Sequence, residues 1–226
     1  MPYPNVGVPL IGPIQLDLKG AGITVVMGPN GSGKTTLLRL LHGAARLNQG
    51  TIRWACDQEQ ARDAQTFVFQ RPIMLRRSIL DNLIYPLRTR GVSKAKAQEQ
   101  AEHWAERLGL GGFLSRQAPS LSGGEQQKLA LARALITDPE LVFLDEPCAS
   151  LDARTMKAIE RILIDTRATG TQIIMSTHDM GQARRLADEV VFLLNGKVHE
   201  HTPAHDFFAK PQTPEANAFL NGDIVE

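Results

Sequence analysis

The chain has 226 residues, enough for one substantial domain with a small inserted lobe. Its 25 Lys and Arg against 24 Asp and Glu leave a net charge of +1, which supplies no field for holding nucleic acid or anionic lipid. No apolar run reaches the roughly 20 residues that span a bilayer, no amino-terminal signal segment is visible, and the two cysteines, Cys56 and Cys148, make no disulfide framework and fit a reducing cytosol.

The run from Ile23 to Met27 is short, apolar and rich in branched residues, which predicts a buried strand stopping at Gly28. After Lys34, the apolar residues Leu37, Leu38, Leu41 and Ala45 recur at helical spacing and predict a helix up to Leu47. Between them lies Gly28-Pro29-Asn30-Gly31-Ser32-Gly33-Lys34-Thr35, which fits the phosphate-loop pattern G-x-x-x-x-G-K-[ST] in the strand-to-helix context that the pattern requires. Glycines matter here because several backbone N–H groups must point into one concavity free of side chains, and the following helix adds its positive end. Lys34 is placed to reach the β and γ phosphates of ATP, the Thr35 hydroxyl to ligate Mg²⁺, and Thr36 to add a further phosphate contact.

A second strand is predicted from Thr66 to Gln70, and the segment from Arg71 to Ser120 reads as helical. In that segment Ser93 can cap a helix whose stripe of Ala97, Ala101, Trp104 and Leu108 lies opposite Lys94, Gln98, Glu99, Glu102 and Glu106, with Gly109, Gly111 and Gly112 ending it. The start, Arg71 to Ser78, is basic and apolar together, as a surface loop or an adaptable docking surface would be. At Leu121-Ser122-Gly123-Gly124-Glu125-Gln126-Gln127 a glycine-rich turn opens the helix carrying Leu129, Ala130 and Arg133; read plainly it is a Ser cap, and it is also a second anion site.

Leu141 to Leu144 predicts a strand buried on both faces, with Asp145 and Glu146 at its carboxyl end, where ligands bind in an open parallel sheet. In phosphoryl chemistry such a pair can divide its work: Asp145 holds Mg²⁺ through water, and Glu146 polarises the attacking water as general base. A strand from Gln172 to Thr177 precedes His178, and Asn195-Gly196 joins Val190–Leu194 to Lys197–His201 as a hairpin.

These pieces, in this order and across almost the whole chain, resemble the ATP-binding subunits of ABC transporters. The Leu121 to Gln127 signature discriminates, because many other NTPases share the phosphate loop and acidic strand without it. The resemblance implies an α/β fold: a P-loop NTPase core of mostly parallel sheet (1–70 and 130–226), with N-terminal antiparallel strands and an inserted helical subdomain (about 71–129). It implies that Ser122, Gly123, Gly124 and Gln126 contact ATP held by a second copy in a head-to-tail dimer. Gln70 is then similar to the residue that contacts Mg²⁺ and the attacking water, Asp152 to the one that orients the partner's site, and His178 to the histidine that senses the γ phosphate. The family stacks adenine on an aromatic residue upstream of the phosphate loop; Tyr3 is the sole aromatic before Met27, so either Tyr3 takes that role or adenine is held more weakly. Cys148 stands where the family more often has a small polar residue.

Within the family, Phe67-Val68-Phe69-Gln70-Arg71-Pro72, Leu75-Arg76-Arg77-Ser78, the stretch from Met175 to Asp188 and Ala218-Phe219-Leu220-Asn221-Gly222 are similar to the ATPase subunits of tungstate importers. That implies membrane permease subunits docking near Arg71 to Ser78, an extracytoplasmic oxyanion-binding protein, and a place on the cytoplasmic side of the cell membrane. Molybdate and phosphate import are neighbouring alternatives. An exporter or lipoprotein-release ATPase, or a non-transport relative acting on DNA or ribosomes, are the others, the last usually marked by long coiled coils, tandem cassettes or strongly basic segments.

Overall fold

The structure, a computed structural model, describes residues 11–20, 22–223 and 225; Tyr3 lies outside them. In chain order the elements are β1 (Gly22–Met27), α1 (Lys34–His42), α2 (Gln58–Asp63), β2 (Gln65–Val68), α3 (Ile79–Thr89), α4 (Lys94–Arg107), α5 (Gly123–Leu135), β3 (Leu141–Asp145), α6 (Ala153–Ala168), β4 (Gln172–Ser176), α7 (Met180–Leu186), β5 (Glu189–Leu194), β6 (Lys197–Pro203), α8 (Ala204–Ala209) and α9 (Pro214–Asn221).

Six strands make one sheet in the order β2-β3-β4-β1-β5-β6. All neighbours pair in parallel except β5 and β6, which are antiparallel. Asn195 and Gly196 join them with φ of 48° and 73°, the left-handed pair that a tight hairpin turn requires. This is the hairpin expected at Asn195-Gly196; the antiparallel strands also expected on the amino-terminal side have no counterpart among the described residues. Residues 11–20 carry no strand; Ile11, Ile14, Leu16 and Leu18 instead lay side chains against the core without a paired backbone.

The sheet is covered on both faces, which is why its central strands read as continuous apolar runs. On one face Val26, Phe143, Ile174, Val191 and Leu193 meet Leu37 and Leu38 of α1. On the other, Ile23, Val25, Val142, Leu144, Ile173 and Met175 meet Ile159, Ile162 and Leu163 of α6, and the same core continues into the helical lobe. Fully buried Phe143 stacks with Phe67 and takes the His42 ring edge-on, and truncating such a ring costs about 3–5 kcal/mol.

The helix after the phosphate loop is shorter than its periodicity suggested. It ends at His42 because Gly43 turns left-handed (φ 84°) and returns its N–H to the Leu40 carbonyl, a stop that overrides the apolar spacing of Ala45 and Leu47. In the lobe, Ser78 and Ser93 cap α3 and α4, and the stripe Ala97, Ala101, Trp104 and Leu108 is buried as its spacing requires. Helix α5 belongs to both regions: it contacts α3 and α4 in the lobe and β2 in the core. Among the described residues no helix is long and apolar enough to cross a membrane.

Candidate active site

Strand order brings the motifs together. β1 delivers the phosphate loop, β3 delivers Asp145, and β4 lies between them, with Ser176 paired to Asp145 on one side and to Val26 on the other. Glycine is required at the loop's first position. Gly28 has φ of 147°, and a Cβ there would collide with the Leu193 carbonyl oxygen. The hairpin turn supports the loop from the same side, Gly196 donating to the Ser32 carbonyl at 3.0 Å. Lys34 leads α1 and curls over the loop, donating to the Gly28 and Pro29 carbonyls at 2.9 and 3.0 Å. Burial holds its ammonium below the usual lysine range, against the opposing pull of the Glu146 and Asp145 charges.

Asp145 is buried and accepts from the Thr35 hydroxyl at 2.8 Å and the Ser176 hydroxyl at 2.9 Å. The next residue, Glu146, has φ of 44°, a left-handed conformation uncommon for a glutamate and of a kind that clusters at functional sites. The strain is held by its neighbours: the Glu146 N–H donates to Ser176 Oγ at 3.0 Å. On the side chain, Gln70 Nε2 donates to Glu146 Oε2 at 3.2 Å, and His178 Nδ1 lies 3.1 Å from the same oxygen. Residues from four separate stretches of chain thus converge. Ser176 was not singled out from the sequence, although it closes an apolar strand two residues before His178 and its polar side chain breaks that run.

Thr35 Oγ1 and Asp145 Oδ1 are hard oxygen donors, and among the described residues no group of three His, Cys, Asp or Glu could hold a metal. A hydroxyl with one carboxylate suits Mg²⁺ that completes its octahedron with phosphates and water, and suits a dedicated all-protein cation cage poorly.

A second group forms where the start of α5 meets the start of α6. Ser122 caps α5 in a capping box: its hydroxyl accepts from Glu125 N–H, while its own N–H donates to Glu125 Oε2 at 2.8 Å. The Ser122 hydroxyl, donating to Glu125 Oε2 at 2.7 Å, and the Ser122 N–H on the same oxygen hold the Glu125 carboxyl below the usual range. Gln126 turns its amide toward the Leu121 carbonyl, 2.9 Å away. Gly124 packs on Thr155 so closely that a Cβ would meet Thr155 Cγ2 at 3.0 Å, and Asp152 caps the same turn of α6 by accepting from Arg154 and Thr155 N–H. Gly123, Gly124, Ser122, Gln126 and Asp152 therefore sit together, and among the described residues no hydrogen bond joins them to the group around Lys34.

Residues 11–149 match the family described as ABC transporter. The chain is 41% identical to the tungstate uptake system ATP-binding protein of Peptoclostridium acidaminophilum, over 82% of this chain and 88% of that one. It is 35% identical to a phosphate import ATP-binding protein of Natronomonas pharaonis, over 97% and 84%. In structure it is similar to a dimeric ATP-binding cassette in a post-hydrolysis state with ADP and Pi, with a TM-score of 0.78, 25% identity, and coverage of 88% of this chain and 94% of that one.

Proposed function

Because the chain belongs to the ABC transporter family of ATP-binding proteins, we propose that it is the ATP-hydrolysing subunit of an importer that takes up an oxyanion, tungstate in the first place. Membership implies ATP hydrolysis, and the similarity to importer ATPases supports an importer. The tungstate reading is supported by 41% identity across most of a tungstate uptake protein, against 35% to a phosphate importer.

The observation that carries the reading is the convergence of Gln70 and His178 on one oxygen of Glu146, beside the Thr35 and Asp145 oxygens. Backbone N–H groups of residues 28–36 and the Lys34 ammonium hold the β and γ phosphates of ATP. Thr35, Gln70 and Asp145 would hold Mg²⁺, which would offset the negative charge developing on the phosphates. Glu146 takes a proton from the water in line with the γ phosphate, Gln70 orients that water, and His178 donates to the γ phosphate once its ring turns from Glu146.

A single copy leaves Ser122, Gly123, Gly124, Gln126 and Asp152 apart from this centre, which supports a head-to-tail dimer in which they complete the partner's site. Asp152 then orients that site, and the α5 amino terminus supplies N–H groups to the γ phosphate. Ile73 in the 71–78 loop is 73% exposed, with Phe69 and Tyr85 also exposed nearby along one groove. That surface receives a membrane permease on the cytoplasmic face, and an oxyanion-binding protein delivers cargo from outside.

The test is ATPase activity of the chain reconstituted in liposomes with its permease, with the binding protein loaded in turn with tungstate, molybdate, phosphate or sulfate. Stimulation at the lowest concentration of tungstate is expected. Stimulation by another of these anions overturns the substrate, and ATPase activity indifferent to all of them overturns the importer reading.

A further inference from the structure

The most completely satisfied polar side chain of the helical lobe is Asn82, on the first turn of α3 and fully buried. Its Oδ1 accepts from Leu75 N–H at 3.1 Å, and its Nδ2 donates to the Leu75 and Ser78 carbonyls at 3.2 and 2.9 Å. The 71–78 loop therefore folds around one amide. Arg133, on the last turns of α5, closes the arrangement. One arm of its guanidinium donates to Asn82 Oδ1 at 3.1 Å, and the other donates to the Ile73 carbonyl at 2.7 Å.

This is a costly way to build a joint. Among the described residues Arg133 has no carboxylate partner, and burial pulls its guanidinium below the usual arginine range. Removing a charge from water without a counter-charge costs stability, which the two hydrogen bonds only partly offset. What the charge provides is a planar fork that grips two acceptors on different segments at once. The two segments lead to the two halves of the site. Upstream of Ile73 the loop begins at Gln70, which is bonded to Glu146. Upstream of Arg133 along α5 lies Ser122, about 16 Å away at helical rise.

We propose that Arg133 is a positioning residue which, through Asn82 and the Ile73 carbonyl, makes α5 and the 71–78 loop one rigid unit, so that engagement of Ser122 by a partner copy moves the segment that carries Gln70. The inference rests on the head-to-tail reading above. It assigns the linkage within one chain between the end that serves the partner's ATP and the glutamine that serves its own.

The experiment uses the full chain with Cys56→Ser and Ile73→Cys, spin-labelled at position 73, in a Glu146→Gln background that traps ATP-bound dimers. Dimer formation is read by gel filtration and label mobility by electron paramagnetic resonance, with and without ATP. Expected is a mobility change on dimerisation with Arg133 present, and loss of that change in Arg133→Met although the dimer still forms. In the Glu146 background, Arg133→Met should lower kcat about tenfold while KM for ATP stays within about twofold. Should Arg133→Met fold poorly, Arg133→Lys keeps a cation without the fork and should also lose the response. A dimer whose label responds equally in these variants overturns the linkage, as does a dimer whose label never responds with Arg133 in place. Failure of the Arg133 chain to form a dimer at all overturns the head-to-tail reading instead, and with it the linkage.

Discussion

Thr35 and Asp145, separated by 110 positions, are joined by a hydrogen bond of 2.8 Å from the threonine hydroxyl to the carboxylate. The bond ties the helix after the phosphate loop to the end of the acidic strand, so the last residue of the loop motif is held in register with the last residue of β3. Ser176 bonds to the same carboxylate oxygen from the strand between them.

Glu146→Gln is expected to keep ATP affinity and to slow turnover by about 10²–10⁴-fold, the usual worth of a positioned general base. The amide keeps the side chain's size and its place beside Gln70 and His178 while removing the proton acceptor. Phosphate release at saturating ATP measures it, and turnover within twofold of the unaltered chain would remove Glu146 from the role.

Ser122→Arg places a long cation where the α5 N–H groups face a partner and discards the capping box. Loss of the cap alone costs about 1 kcal/mol, so the chain should fold and bind a fluorescent ATP analogue as a monomer. Steady-state hydrolysis should fall at least tenfold and no closed dimer should form. Full activity would contradict the composite site.

Gly28→Ala sets a Cβ against the Leu193 carbonyl at a φ of 147°. Backbone must shift to relieve it, with an expected loss of about 2–4 kcal/mol. Thermal melts with and without ATP should show both a lower Tm and a smaller shift on adding nucleotide.

The Cys148 thiol is buried, and burial pushes its pKa from 9.0 up to about 11. The folded chain thus holds this proton where the unfolded chain releases it. The resulting contribution to stability is complete below about pH 9 and is lost as pH rises towards 11, up to about 2–3 kcal/mol in all. Urea titrations at pH 8 and pH 11 on the native chain and on Cys148→Ala should show a steeper decline for the native chain. Iodoacetamide at pH 8 should label exposed Cys56 and spare Cys148.

Local pattern predicted much of this molecule because its chemistry is carried by contiguous motifs on regular elements. The strand before Gly28, the cap at Ser93 and the hairpin at Asn195-Gly196 each depend on residues close in sequence. Where prediction and structure part, distance is the reason. Apolar periodicity extended α1 to Leu47, but one left-handed glycine decides its end. The sharing of Glu146 Oε2 by Gln70 and His178 is a tertiary fact that no spacing encodes. The same holds for Asn82 and Arg133, 51 positions apart: α3 and α5 each predict a buried face, and neither predicts that the two residues meet on it.

Lys34 bonds to the carbonyls of its own loop, at Gly28 and Pro29. The arriving polyphosphate therefore exchanges contacts with an ammonium that is already localised, and little side-chain freedom is left to be lost. Pre-organisation of this kind places the discrimination between nucleotides in the base and ribose contacts, because the phosphate end of any nucleoside triphosphate finds the same finished mould.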